Sequence, residues 1–491
     1  MNWLANARRV RDAGVVAMLA SSSVMHAPQF AREAVLPAPP RATTDAGIVE
    51  GRVDSSGQVL VFEGVPYAAP PIGALRWRAP RPPAKWDGVR PTDRLAHNCM
   101  QLQPYGDIDP YAAGVSEDCL YLNVWTTAST GRRPVMVWIH GGGYFAGFGG
   151  EERHNGATLA RKGVVVVTLN YRLGPFGFLA HPALASESPG EGTGDYGLLD
   201  QIAALQWVKR NISSFGGDPS RVTIFGESAG GTSVGVLIAS PLAKGLFQRA
   251  ILESGTGTRS ILRSDSALRI GSRVAAALGI SGGDAATQLR ALNADTVLAV
   301  SARVAGGPAK TLYPASIDGH VLQHSVDSSI TLGIANLVPV IVGSNADESQ
   351  EGFGAPSRAF ARLISSHGRS AYLYQFTRAG EDSIGRAHGA FHSGEITFVF
   401  GRSHPLLAVA GRAAYDSTLA DAMSDYWVAF ATSGDPNGAP TNGKWPRWPS
   451  YERSADETLE LGPQIVVRRE VRRALYDSLD AIARAHGELR P

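Results

Sequence analysis

Short apolar runs recur along the chain, at residues 120–126, 135–140, 164–171, 221–225, 249–253, 338–343 and 371–376. Several are continuous rather than alternating. Val164-Val165-Val166-Val167 is β-branched throughout, the pattern of a strand buried on both faces. Between the runs lie segments with helical spacing. The clearest carries Leu198, Ile202, Leu205, Val208 and Ile212, whose steps of four, three, three and four line one face of a helix. Strand and helix alternation predicts an α/β fold with a mostly parallel central sheet flanked by helices. The first runs, 47–53 and 59–65, look more like a hairpin, so a small antiparallel edge is expected there. No internal repeat is visible, and residues 45–491 read as a single domain.

The composition changes this picture little. The chain has 491 residues, 44% hydrophobic and 18% charged, with a formal net charge of +2, ample for a large buried core. The one dense basic stretch, Arg468-Arg469 to Arg472-Arg473, falls in an amphipathic pattern with Val471, Leu475, Leu479 and Ile482. It reads as a solvated helix face, not a nucleic-acid site. At the other end, Arg8, Arg9 and Arg11 precede an apolar stretch that begins at Gly14. Despite Asp12, residues 1–27 read as a secretory signal with a cleavage site near Ala27, which implies an exported protein. Residues 28–44, with Pro39 and Pro40, read as a mobile leader. No other stretch approaches the roughly 20 apolar residues of a membrane span. The two cysteines, Cys99 and Cys119, would close a loop of 20 residues. In an exported chain such a pair is a disulfide candidate, although spacing alone is equally met by two buried thiols.

The candidate chemistry begins at Gly226-Glu227-Ser228-Ala229-Gly230. Residues 221–225 read as a strand and 229–239 as a helix, which places Ser228 at a sharp strand-to-helix turn. Glycines at 226 and 230 leave room there, and the turn presents the hydroxyl near a helix N-terminus. His140-Gly141-Gly142-Gly143 follows another apolar strand. Its glycines can aim backbone N–H groups inward, and with the N–H of Ala229 they form a candidate oxyanion site from Gly142, Gly143 and Ala229. A serine nucleophile also needs a base and a carboxylate that orients it, in the chain order Ser, acid, His. On residue chemistry alone Asp347, Glu348 and Glu351 compete for the acid, and His388 and His392 for the base.

Longer motifs narrow the choice. Phe62-Glu63-Gly64-Val65-Pro66-Tyr67-Ala68, Ser116-Glu117-Asp118-Cys119-Leu120-Tyr121-Leu122-Asn123-Val124, Asn170-Tyr171-Arg172, Phe215-Gly216-Gly217-Asp218-Pro219, the stretch from Thr223 to Gly231, and Gly434-Asp435-Pro436 run nearly end to end. With these the chain resembles the type B carboxylesterase family, which includes bacterial p-nitrobenzyl esterases, liver carboxylesterases and cholinesterases. The resemblance implies the α/β-hydrolase fold and hydrolysis of small-molecule carboxylic esters without metal or organic cofactor. It selects Glu348 as the orienting acid and His392 as the base for Ser228, gives supporting roles to Glu227, Ser254 and Glu395, and implies a Cys99–Cys119 disulfide. One departure is Ser349, where the family usually has glycine.

Two further expectations rest on what is missing. The segment between the cysteines holds Tyr105 and Tyr111 but no tryptophan, and in cholinesterases a tryptophan there faces the quaternary ammonium. No preference for choline esters is therefore expected. Only 44 residues separate Glu348 from His392, too few for the long helical insertion usual in this family, so a wider pocket is expected unless residues 299–314 fill the gap. Gly192-Thr193-Gly194-Asp195-Tyr196-Gly197 matches a dinucleotide fingerprint, but no strand precedes it, so no nucleotide is expected. The rival class is a catalytically inactive binding protein on the same fold, resembling neuroligins. Such proteins typically lose the nucleophile or base, and this chain keeps Ser228, Glu348 and His392.

Overall fold

The continuous apolar runs become the inner strands of one 11-stranded sheet. In the computed structural model, residues 38–102, 113–259, 261–307, 312–380, 387–401 and 413–485 are described, with side chains in the last stretch from residue 417. In chain order the strands are β1 (Arg52–Val53), β2 (Leu60–Pro66), β3 (Tyr121–Thr126), β4 (Arg133–Ile139), β5 (Val165–Leu169), β6 (Gly217–Glu227), β7 (Arg249–Glu253), β8 (Val340–Asn345), β9 (Ala371–Phe376), β10 (Glu457–Leu461) and β11 (Ile465–Arg469). Across the sheet they lie in the order β11-β10-β9-β8-β7-β6-β4-β5-β3-β2-β1. The pairings from β10 through β9, β8, β7, β6 and β4 to β5 are all parallel. The two margins, β3-β2-β1 and β11, are antiparallel. This is the α/β-hydrolase arrangement expected from the sequence, with its antiparallel edge at the first strands.

The continuous apolar pattern arises because successive residues of each inner strand enter two different cores. Val135, Val137 and Ile139 of β4 join Val222, Ile224, Leu252 and Val342 on one face. Met136 and Trp138 join Phe225, Ile251 and Ile341 on the other. Helices α1 (Tyr196–Asn211) and α2 (Ala229–Ala239) cover the first face, with Leu198, Ile202, Leu205 and Val208 inward as their spacing predicts. Further along the chain, the helices that bear on the site are α3 (Ala294–Ala305), α4 (Ala355–Ser366) and α5 (Ala413–Ser433). Phe360 and Ile364 of α4 extend the first core, while Tyr426, Trp427 and Phe430 of α5 cover the opposite face. The last helix is α6 (Arg473–Ala485).

Several boundaries differ from the sequence reading. Arg41–Thr43 already pairs with Ile48–Glu50, so part of the stretch read as a mobile leader is a paired strand. Residues 47–53 are not one strand: Ile48–Glu50 belongs to a separate three-stranded sheet, and only Arg52–Val53 joins the main one. Arg468 and Arg469 lie on β11, not on a helix, and pair with Glu460 and Glu457 of β10. On α6 the buried side chains are Tyr476, Asp480 and Ala483, while Leu475 and Ile482 face outward. A polar network draws Asp480 inward through Arg259, overriding the apolar stripe. Cys99 and Cys119 are joined, with sulfurs 2.05 Å apart. Residues 1–37, which include the stretch read as a signal and most of that read as a leader, and Tyr105 and Tyr111 lie outside the described residues. Among the described residues no helix is long and apolar enough to cross a membrane.

Candidate active site

Open α/β sheets place their sites beyond the carboxyl ends of the parallel strands, and the candidate residues gather there. β6 ends at Glu227 and α2 begins at Ala229, leaving Ser228 alone to turn the chain. Its φ of 57° and ψ of −118° lie where a side chain is strained, at a cost of about 1–3 kcal/mol. Two bonds hold it: Ser228 N–H donates to Glu253 O at 2.8 Å, and Ser228 O accepts from Thr232 N at 2.8 Å. Steric exclusion explains the flanking glycines. A Cβ on Gly226 would lie 2.6 Å from Ile139 O, and one on Gly230 only 2.0 Å from the same oxygen. A third glycine, Gly255 beyond β7, is equally constrained, since its Cβ would meet Ser228 O at 2.2 Å. The motif alone does not reveal Gly255.

His392 bridges the nucleophile and the acid. Its Nε2 lies 2.9 Å from Ser228 Oγ and its Nδ1 2.5 Å from Glu348 Oε2. A carboxylate only accepts, so Nδ1 carries the hydrogen and Nε2 of the neutral ring is left to accept from the serine. Glu348 Oε1 accepts from Asn345 N–H at 2.7 Å and from Ser254 Oγ at 2.8 Å, so the acid is fixed on both oxygens. Its neighbour Asp347 points elsewhere, accepting from Ala390 N at 2.7 Å and fastening the loop that carries the histidine. Glu351 is exposed, as is His388. The geometry thus separates the residues that chemistry alone left competing.

Three more buried carboxyl groups surround this line. Glu227 Oε1 is 3.2 Å from His392 Nε2. Glu395 accepts from Asn345 Nδ2 at 2.5 Å. Glu253 accepts from Trp427 Nε1 at 2.8 Å, across the sheet from α5. Burial, then the charges of Glu227 and Glu348, push the Glu395 carboxyl up to about 8. Burial and the same neighbourhood raise Glu253 well above the usual carboxylate range. Glu395 therefore holds a proton at neutral pH. Burial works against a charged His392, but Glu227, Glu348 and Glu395 outweigh it and push the imidazole up to about 10. With 38% of the side chain open to solvent, screening tempers this pull, and protonation of Glu395 removes one source of it. The direction stands: His392 is a stronger base than a free histidine.

The glycine loop packs directly against this site. A Cβ on Gly141 would lie 3.2 Å from Ser228 Cβ and 2.8 Å from Glu227 O. Gly142 and Gly143 have φ of 97° and 63°, and the N–H groups of Phe145 and Ala146 bond back to Gly142 O to close the turn. Beneath it, His140 is buried and stacks on Tyr171 with ring centres 4.4 Å apart, while Tyr171 Oη donates to His140 O at 2.8 Å. The dinucleotide-like glycines have a packing role instead. Gly192 lies against Asp318, Gly194 against Ala180, and Gly197 against Arg172 O and the Phe178 ring. Sequence reasoning missed Glu253, Asn345, Gln350, Phe353 and Trp427. None lies in a motif that marks it: Glu253, Phe353 and Trp427 reach the site through tertiary contact, and Asn345 and Gln350 through hydrogen bonds within the loop around Glu348.

A serine, an imidazole and a carboxylate in one hydrogen-bonded line, beside glycine N–H groups at a sheet's carboxyl edge, form the machinery of acyl transfer. The model of the carboxylesterase family matches residues 38–353 and 349–478. The chain belongs to the carboxylesterase family. It is thereby a carboxylic ester hydrolase. The two matched stretches of this carboxylesterase overlap over residues 349–353, immediately after Glu348. Fumonisin B1 esterase of Sphingopyxis macrogoltabida is 35% identical, over 86% of this chain and 86% of its own. Para-nitrobenzyl esterase of Bacillus subtilis is 33% identical, over 87% and 96%. A thermophilic PNB esterase superposes with a TM-score of 0.81 at 32% identity, covering 89% of this chain and 99% of its own.

Proposed function

We propose that this carboxylesterase cleaves esters through an acyl-enzyme on Ser228. His392 takes the Ser228 proton as Oγ adds to the ester carbonyl carbon. The oxyanion is received by the N–H groups of Gly142, Gly143 and Ala229. As the tetrahedral intermediate collapses, His392 protonates the departing alcohol. Water then enters, gives its proton to His392, attacks the acyl carbon, and the acid leaves as Ser228 regains its proton. Glu348 keeps the ring in the required tautomer throughout. The observation that carries this reading is the unbroken line from Ser228 Oγ through His392 to Glu348, at 2.9 and 2.5 Å. Ser228→Ala should leave a folded protein whose turnover of a p-nitrophenyl ester falls by about 10⁴-fold or more and which no longer reacts with organophosphates. Retention of a tenth of the activity would refute the assignment of Ser228 as nucleophile, whereas a wild-type protein without turnover would reopen the binding-protein reading.

The substrate range follows from how the entrance is walled. On the oxyanion side, α3 stands against the glycine loop. Leu298, Ser301 and Ala302, with Tyr313, bound a small apolar cavity of about 30 Å³ shared with Phe145 and Pro175. Described residues of the 299–314 segment thus pack beside Phe145, next to that loop. On the other flank a single turn and α4 take the place of an insertion. An entrance walled firmly on one side only should accept bulky or branched esters, with higher KM for small ones. Two relatives are named for different esters, fumonisin B1 and para-nitrobenzyl esters, in keeping with varied partners on this scaffold. A steep loss of kcat/KM from acetate to bulky aromatic acyl groups would overturn this reading. Choline esters should gain nothing over neutral esters of equal size. Export by way of residues 1–27 belongs to the same proposal, and N-terminal sequencing of the mature protein tests it.

A further inference from the structure

Between the acid and the next strand the chain makes one uncommon turn. Residues Gln350–Gly354 form a single π-helical turn, a form often found at functional positions, which leads into α4. Ser349 opens it, its Oγ accepting from Gly352 N at 3.0 Å, which gives the serine that departs from the family's glycine a role as the cap. Gln350 then locks the turn to the acid loop. Its Nε2 is shared among the carbonyls of Asn345, Ala346 and Glu348 at 3.1, 3.1 and 2.9 Å. Its Oε1 accepts from Tyr476 Oη of α6 at 2.6 Å. Arg472, just before α6, also donates to Ala346 O at 3.0 Å. Gly354 is where this clamp needs space, because a Cβ there would lie 2.3 Å from Gln350 Oε1 and 2.6 Å from Tyr476 Oη.

The turn delivers one side chain to the site. Phe353 lies face to face with His392, ring centres 4.6 Å apart and planes 15° from parallel. Glu348 fixes one edge of the imidazole and Ser228 meets the other, but neither hydrogen bond prevents the ring from tilting about the line joining them. An aromatic face laid flat on the ring removes that freedom. From this we infer that Phe353 is a positioning residue for His392, held over the imidazole by the Gln350–Tyr476 clamp, and that this one turn does the aligning work on a flank with only a short acid-to-base segment. The inference rests on the triad reading above. A π-face against an imidazolium also favours its charged form by cation–π attraction, in the same sense as the carboxylates of Glu227, Glu348 and Glu395 that surround it.

The test is steady-state kinetics on Phe353→Leu, Phe353→Tyr and Gln350→Ala with a neutral p-nitrophenyl ester across pH, with near-UV circular dichroism to verify folding. Phe353→Leu keeps apolar bulk but loses the flat face. It should lower kcat by about 10- to 100-fold with KM nearly constant, the scale of a misaligned catalytic group. The acid limb of its kcat/KM profile should also move to lower pH. Phe353→Tyr, which keeps the ring, should restore both. Gln350→Ala should reproduce the Leu variant. A Leu variant with wild-type kcat and pH profile, or one in which only KM rises, overturns the inference and leaves Phe353 as pocket wall. If the Leu variant does not fold, Phe353→Met carries the same comparison. His392→Ala separates the two levels: if it keeps turnover, the triad reading fails; if it is inactive while Phe353→Leu behaves as wild type, only the positioning role fails.

Discussion

The two halves of this site are held in different ways. The nucleophile and the glycine loop are placed by backbone. Ser228 occupies a strained turn because strands and helix converge on it, with gaps so small that Gly226, Gly230 and Gly255 admit no Cβ. The acid and base are placed by side chains. Glu348 is held by Ser254 and by the Asn345 N–H, its loop by Gln350 and Arg472, and the histidine loop by Asp347. A site held by backbone sterics has no graded failure, since a methyl group either fits or does not. A site held by hydrogen bonds can lose one partner and keep its fold while its chemistry declines. Substitutions in the first half should therefore appear in stability, and those in the second in rate and pH dependence.

The largest expected effect is on the backbone side. Gly230→Ala would place a Cβ 2.0 Å from Ile139 O, inside the contact distance of any real pair. Neither β4 nor α2 can retreat without disturbing the core, so a loss of about 3 kcal/mol or more is expected, up to failure to fold. Soluble yield and the urea midpoint measure it. A variant within about 1 kcal/mol of wild type would break the comparison, because it would mean that the turn yields.

On the side-chain side, Glu348→Gln should cut kcat by about 10³–10⁴-fold while the urea midpoint barely moves, since the amide can stay in place but presents the wrong partner to Nδ1. Asp347→Asn should cost about tenfold or less, through a looser histidine loop. If Asp347→Asn proved the more damaging in rate, the roles of the two acids would be reversed.

The same contrast explains what could be read in advance. The elbow, the glycine loop and the inner strands are encoded in consecutive residues, because local sterics and two-sided burial each leave a local pattern. The 229–239 helix and the 249–253 and 371–376 strands fall at the expected residues. The acid and base left two open choices, Asp347 against Glu348 and His388 against His392, which nothing local could decide. What decides them is packing from strands and helices remote in sequence. Resemblance selected Glu348 and His392, and those two, rather than Asp347 and His388, lie in line with Ser228. The outward turn of Leu475 and Ile482 on α6 was illegible for a related cause: Asp480 is drawn inside by Arg259, so polarity no longer marks the exposed face.

A smaller effect should separate the carboxylates. Glu227 lies 3.2 Å from Nε2 of His392 and helps hold its proton. In the proposed mechanism the base is the neutral ring, so a raised pKa moves the acid limb of kcat/KM to higher pH. Glu227→Gln removes one negative charge, lowers the imidazole pKa and should shift that limb down by about one pH unit. A limb that stays in place would mean that Glu227 acts only through packing.

The effect of pH on stability distinguishes the two halves by sign. Under the glycine loop, burial, then the charge of Arg153, pull His140 down from 6.5 to about 4 against the opposing bond to Gly141 O. As pH falls between those values the unfolded chain takes up a proton that the folded protein refuses, so this half loses stability toward acid. Beside the triad, Glu395 behaves oppositely. The folded protein keeps its proton up to about 8 while the unfolded chain releases it near 4.5, so as pH rises between those values this half loses stability toward alkali. Each group contributes a slope of at most about 1.4 kcal/mol per pH unit, one proton's worth. Equilibrium urea unfolding at several pH values from 4.5 to 8 reads these slopes as differences between wild type and variant, which cancels groups common to both. Glu395→Gln, which stays neutral at every pH, should gain on wild type as pH rises through this window. His140→Gln should gain on wild type as pH falls below 6.5, whatever its constant cost in packing. If both differences ran in the same direction, the two halves would not be electrostatically distinct, and the division drawn between them would hold for geometry alone.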